Sequence, residues 1–274
     1  MKKLIPQVAT LDFPRILEVP FDKKVKKPAT TIVMLHGIGN SAAGWEIVKD
    51  ILPQNARLIA VDLLGFGESP KPKGVSYNVR IQARSVAATL LTLKLTTRVV
   101  LVGHSMGSLI AIEIAKRYPL LVKGLILCSP PIYRSHSELN VIRPSAEELL
   151  KKVYLLAAKD ASVRPERYIN LSKRVSKTVL ASSAFNLTKE TVDPYIAALH
   201  SSIIEQSTYE DVQELRMPIK IIYGTLDPFV INKNLKRLAK NNENITAKSI
   251  VASHEVTRAY LRPIQSAVAD ILKK

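Results

Sequence analysis

Ser105, in VGHSMGS at 102–108, has a glycine two places to either side and follows the apolar run RVVLV. A serine hydroxyl is a weak nucleophile near neutral pH until a base takes its proton, and a histidine base needs a carboxylate to fix its tautomer. Of five histidines, His36 and His104 sit inside glycine motifs against strand ends, and His136 and His200 fall in a separate segment. His254, in SIVASHEV, lies between the last apolar run and the final helical pattern, and is the candidate base. Asp227, in GTLDPF after the run IKIIYG, is the candidate carboxylate. Asp62, which ends RLIAVD before LLGFGES, is its rival; the alternative role for Asp62 is to bond the backbone of its own glycine-rich loop.

A G-x-S-x-G match has little weight without its setting, since a glycine turn with an incidental serine reads the same way. Here the motif follows a strand pattern and opens the helical pattern SLIAIEIAKRY, the setting that holds a nucleophile at the edge of a sheet. Such a turn crowds its own backbone, which accounts for Gly103 and Gly107. The helix start leaves N–H groups unpaired and favours negative charge developing beside the serine.

The elements that must position these residues alternate along the chain. Continuous apolar runs rich in β-branched residues occur at 30–36, 57–62, 98–103, 122–129, 219–224 and, more weakly, 245–251. Helical patterns are expected at 41–52, 77–93, 106–118, 232–240 and 258–272, and one or two antiparallel edge strands before Thr30. The expected fold class is therefore α/β, a mostly parallel central sheet flanked by helices. From Pro131 to Glu210 the alternation stops and helices follow one another, beginning with SAEELLKK, where Ser145 and Glu148 have capping-box spacing. This divides the chain into a core of 1–130 and 211–274 and a helical insertion of 131–210.

With 274 residues, 47% of them hydrophobic, the chain can bury one large core. Proline breaks the N-terminal MKKLIPQVATLDFP, and no stretch has the roughly 20 apolar residues of a membrane span, so a cytoplasmic protein without membrane insertion is expected. The single Cys128 has no disulfide partner and the histidines lack zinc-finger spacing; no metal and no cofactor are called for. The net charge of +17 is scattered in short lysine groups without interleaved aromatics, which points to a solvated surface and no specific nucleic-acid partner. The insertion holds 11 basic and 9 acidic residues, so nearly all the excess lies on the core.

HGIG at 36–39, DLLGFGES at 62–69, GHSMGS at 103–108, YGTLDPFV at 223–230 and SHEV at 253–256 together resemble the α/β-hydrolase family, over nearly the full length and in its nucleophile, acid, histidine order. The resemblance implies that the insertion is a cap over the site, and that the backbone N–H groups of Ile38 and Met106 form an oxyanion hole. A serine at the elbow argues against members that form alkyl-enzyme esters and leaves acyl chemistry. Hydrolysis of a small acyl ester is the first reading. Carbon–carbon bond hydrolysis of ring-cleavage products, acyl transfer, and a non-catalytic ligand-binding role stay open, and the oligomeric state is not set by the sequence. Trp45, Met106, Leu139, Val141, Ile142 and Phe229 are the candidate residues around an acyl pocket, although Trp45 on its expected helix fits plain core better.

Overall fold

The computed structural model describes residues 12–96, 98–134, 145–175, 185, 187–206 and 208–273. Its strands are β1 (Phe21–Lys23), β2 (Thr30–Leu35), β3 (Ala56–Val61), β4 (Val99–His104), β5 (Val122–Cys128), β6 (Ile219–Gly224) and β7 (Ile245–Ile250). They form one sheet in the order β1-β3-β2-β4-β5-β6-β7, with β1 antiparallel to β3 and every other pair parallel. The edge strand β1 is held to its neighbour by a bidentate pair, Arg57 Nε and Nη2 at 2.9 and 2.8 Å from the two oxygens of Asp22.

The helices are α1 (Val79–Thr92), α2 (Met106–Arg117), α3 (Ala146–Val163), α4 (Pro165–Val175), α5 (Val192–Ala198), α6 (Thr208–Gln213), α7 (Asn232–Asn241) and α8 (Arg258–Leu272). β2 and β4 are buried at every position, as their unbroken apolar sequences require once both faces are covered. The period of two divides β2 between two cores. Val33 and Leu35 belong to the one that contains Ile81, Val86, Leu109 and Ile110 of α1 and α2. Ile32 and Met34 belong to the one that contains Tyr260, Ile264 and Val268 of α8.

Every regular element described between β5 and β6 is a helix. The first of them starts at the expected capping box, with Ser145 Oγ accepting from Glu148 N and Glu148 Oε2 accepting from Ser145 N. α5 runs on into one π-helical stretch, Leu199–Ile204.

Two expected helices differ. Residues 41–52 form two short 3₁₀ turns, Ala42–Trp45 and Lys49–Ile51. The inward residues Ala42, Trp45 and Val48 are three apart, which suits three residues per turn, and Ala42 N is engaged by Asp62 Oδ1 at 2.7 Å. The helix expected from Tyr77 begins at Val79, because Tyr77 has φ 54° and Asn78 is the cap, accepting from Ile81 N.

β3 lies on one side of β2 and β4 on the other, so the chain reverses direction across the sheet between β2 and β4. A crevice opens at the C-terminal ends of parallel strands at such a point. The loops after β2 and β4, which carry Ile38 and Ser105, both emerge there.

Candidate active site

Ser105 occupies the one-residue turn between β4 and α2 with φ 49° and ψ −119°, a conformation that is costly for a side chain larger than hydrogen. The turn survives because its neighbours are glycine: a Cβ on Gly103 would meet the backbone of Gly107 and Ser108, and one on Gly107 would overlap the carbonyl oxygens of Leu35 and His36. Ser105 N donates to Cys128 O at 2.9 Å, which ties the strained residue to the adjacent strand.

Asp227 follows β6 and His254 follows β7, so both reach the same sheet edge. His254 Nε2 is 2.9 Å from Ser105 Oγ, and His254 Nδ1 is 2.8 Å from Asp227 Oδ2. A carboxylate only accepts, so Nδ1 carries the ring proton and Nε2 is free to accept from the serine hydroxyl. Asp227 Oδ1 accepts from Phe229 N at 2.9 Å. Burial pushes the Asp227 carboxyl up, but its bond to His254 and the pull of that ring, with smaller contributions from Ser129 and Phe229 N, outweigh burial and hold it below the usual range.

The backbone N–H groups of Ile38 and Met106 donate to no protein acceptor among the described residues. They stand at the loop after β2 and at the first position of α2, flanking Ser105 on two sides. Unpaired donors there can receive an oxyanion that forms on a carbonyl attacked by Ser105.

Asp62 is engaged elsewhere. Its Oδ1 accepts from Ala42 N and its Oδ2 from Glu68 N at 2.8 Å, and Gly67, at φ 51°, leaves room for that carboxylate. His36 is a brace as well: its Nε2 accepts from Leu63 N at 2.9 Å, and its Nδ1–H donates to Gly37 O at 2.7 Å. Burial lowers its pKa to about 4, so it is neutral in that role. His104 is buried too, which lowers its pKa, and its Nε2–H donates to the carbonyl of His254 at 2.9 Å.

A cavity of about 390 Å³ opens over Ser105 and His254, within the range of small-molecule sites. The core lends it Ile38, Asn40, Phe229 and Glu255; the helical segment lends Val153, Tyr154 and Ala157 from α3, with Tyr195, Leu199 and Ile203. The two sets are linked. The Phe229 ring sits 5.0 Å from that of His254 and stacks on Tyr154 at 6.1 Å, while Tyr133 OH donates to Phe229 O at 2.8 Å and lies 3.2 Å from Tyr154 OH. Burial pushes the Tyr154 hydroxyl up to about 12.

Among the pocket candidates from sequence, Phe229 lines this cavity. Trp45 does not: the three-residue spacing of its turn sends it into the core on the α8 face of the sheet. The Met106 side chain is in the opposite core, leaving its backbone to face the site. Leu139, Val141 and Ile142, like His136, lie outside the described residues. Sequence reasoning missed Tyr154, Tyr195, Leu199 and Ile203, which sit in the insertion with no motif around them. It also missed Ser129, fully buried with φ 46°, whose Oγ lies 2.7 Å from Tyr260 OH and which helps to hold the Asp227 carboxyl below its usual range. An available signal for Glu255 was its place next to His254.

The α/β hydrolase fold model matches residues 30–255, which include every residue of this constellation. Among curated proteins the chain is similar to Probable lysophospholipase BODYGUARD 4 of Arabidopsis thaliana, with 32% identity over 128 residues, 46% of this chain and 31% of that protein. The match thus spans about a third of that relative's length. Among solved structures, a thermophilic esterase from Thermogutta terrifontis superposes with a TM-score of 0.70 at 21% identity, covering 94% of this chain and 93% of the other. The enol-lactonase from Burkholderia xenovorans LB400 gives 0.70 at 21% identity, covering 94% and 96%. At that identity the likeness is one of fold. With the family model spanning most of its length, the chain belongs to the α/β-hydrolase fold family.

Proposed function

We propose that this hydrolase cleaves small carboxylic esters through an acyl-enzyme on Ser105. The observation that carries the reading is the unbroken bond series from Asp227 through His254 to Ser105 Oγ at the floor of an apolar cavity. His254 Nε2 takes the hydroxyl proton as Oγ attacks the acyl carbon; the N–H groups of Ile38 and Met106 bind the oxyanion. The tetrahedral intermediate collapses, and His254 returns the proton to the departing alcohol. Water then repeats the sequence on the acyl-enzyme and releases the acid. Asp227 keeps Nδ1 protonated and stabilises the imidazolium formed in each half.

In this reading residues 131–210 act as a cap, supported by the share of the cavity wall that α3 and Leu199–Ile204 supply. The ester chemistry also agrees with the esterase and lysophospholipase names carried by similar proteins. The partner in this reading is a small molecule, in keeping with a cavity of about 390 Å³. Among the described residues no helix is long and apolar enough to cross a membrane.

The test is hydrolysis of p-nitrophenyl butyrate by wild type, Ser105→Ala, His254→Ala and the double variant. Each single change should lower kcat by about 10⁴-fold or more, with the double scarcely worse, because the residues act as a unit. Turnover retained in Ser105→Ala would remove the assignment.

A further inference from the structure

The chain carries 40 lysines and arginines, yet none is among the described residues that line the cavity over Ser105. The single carboxylate there is Glu255, half-buried, with Asn40 Nδ2 at 3.5 Å from its Oε2 and no cationic partner among the described residues. The two histidines in the wall do not offset it. His104 is buried and its pKa lowered, and His254 is engaged by Asp227 and Ser105. Apart from the Ser105 hydroxyl, the remaining described lining is glycine, proline, aliphatic, aromatic or amide.

We infer that Glu255 is a charge filter: the site takes esters that are neutral or cationic near the scissile bond and rejects those with a carboxylate or phosphate there. This rests on the ester-hydrolase reading and names its substrate class. The physical basis is that an unpaired carboxylate in a partly water-excluded cavity repels a second anion far more strongly than the same pair in bulk water. A substrate anion would also lose its hydration with no lysine or arginine in the described wall to replace it. The external surface acts oppositely, since its net charge of +17 draws anions to the molecule. An anionic lipid headgroup is therefore accommodated only if it stays outside the cavity while a neutral acyl ester enters. Selectivity arises by exclusion as well as attraction.

The experiment compares three isosteric ester series ending in a methyl ester, a carboxylate or a trimethylammonium group, with the charge on the acyl side in one set and on the alcohol side in another. The wild-type kcat/KM for the neutral or cationic member should exceed that for the anionic member by at least about tenfold on one side or both. Glu255→Gln should collapse this ratio, and Glu255→Lys should invert it. Ratios are read because Glu255 borders the catalytic histidine and both variants can change turnover itself. Equal rates across charge in wild type, or a ratio unchanged in folded Glu255→Gln, overturns the proposal. If no ester is turned over, the ester reading falls. The filter is then decided by equilibrium binding of hexanoate, hexanamide and hexylammonium, where the same order in wild type and its collapse in Glu255→Gln support it and an unchanged order overturns it.

Discussion

His104 Nε2 and the carbonyl oxygen of His254 are 2.9 Å apart, so the residue before the nucleophile holds the backbone of the loop that carries the base. The rings of the two histidines lie 5.1 Å apart. His104 has no hydrogen bond to Ser105 Oγ or to the His254 ring among the described residues, and its bond to the His254 carbonyl ties the two loops together. His104→Ala should release that loop and misplace His254, with a loss in kcat approaching about 10²-fold, since small misplacement of a catalytic group has that cost. KM for a small ester should change less, and His104→Gln, which can still donate to the carbonyl, should recover part of the loss. A His104→Ala enzyme with wild-type kcat would show that the loop is held by other contacts.

Asp227 and Asp62 separate by their partners. Asp227→Asn should fold and lose roughly 10⁴-fold in kcat, because an amide in its place favours the wrong tautomer of His254. Asp62→Asn should lower Tm with little effect on the kcat of the folded fraction, since its carboxylate caps Ala42 N and Glu68 N. Thermal melts and kinetics on both variants check this, and the reverse outcome would exchange their roles.

The six parallel strands, their boundaries to within about a residue or two, and the placement of Ser105, Asp227 and His254 at one sheet edge were legible because each depends on local pattern: β-branched apolar runs, or a loop residue soon after a strand. The stretch 41–52 was misread as one helix because SAAGWEIVKDIL looks helical by periodicity. Its path is set instead by a bond to Asp62, twenty residues away in sequence, and by a three-residue spacing of inward side chains. Ser129 and Tyr154 were invisible for a related reason. Their roles come from Asp227, Tyr260, Tyr133 and Phe229, which only tertiary folding brings near.

Stability should fall in mild acid. Burial lowers His36 from 6.5 to about 4, so the unfolded chain takes up a proton there before the folded chain does. Its contribution is complete above pH 6.5 and is lost as pH falls towards 4, amounting to about 3 kcal/mol at most. His104, also lowered by burial, acts in the same direction. Asp227, whose pKa is depressed, adds a further loss only below about its ordinary value of 3.8. Urea unfolding at pH 7.5, 6.5, 5.5 and 4.5 should show the decline, and His36→Gln should be less stable at pH 7.5 but flatter with pH. An equal slope in both proteins would assign the acid sensitivity to other groups.

Chain-length preference should be set by the helical wall. Leu199 and Ile203 come from the π-helical stretch and line the cavity opposite the core residues, whereas Trp45 is buried away from it. Truncating either to alanine enlarges an apolar pocket by a few methylenes, and each methylene discriminates by about 1 to 3 kcal/mol. The volume of about 390 Å³ is near the small end of ligand sites, so the wild-type optimum should fall among short to medium acyl chains. Leu199→Ala and Ile203→Ala should each move that optimum to longer chains while Ser105 still reacts with a small fluorophosphonate. Trp45→Phe should lower Tm and leave the profile in place. A p-nitrophenyl ester series from acetate to decanoate, run on all four proteins, measures this directly. If the profile moved with Trp45 and stayed fixed in the two alanine variants, acyl length would be read by the core, and the helices between β5 and β6 would serve only to cover it.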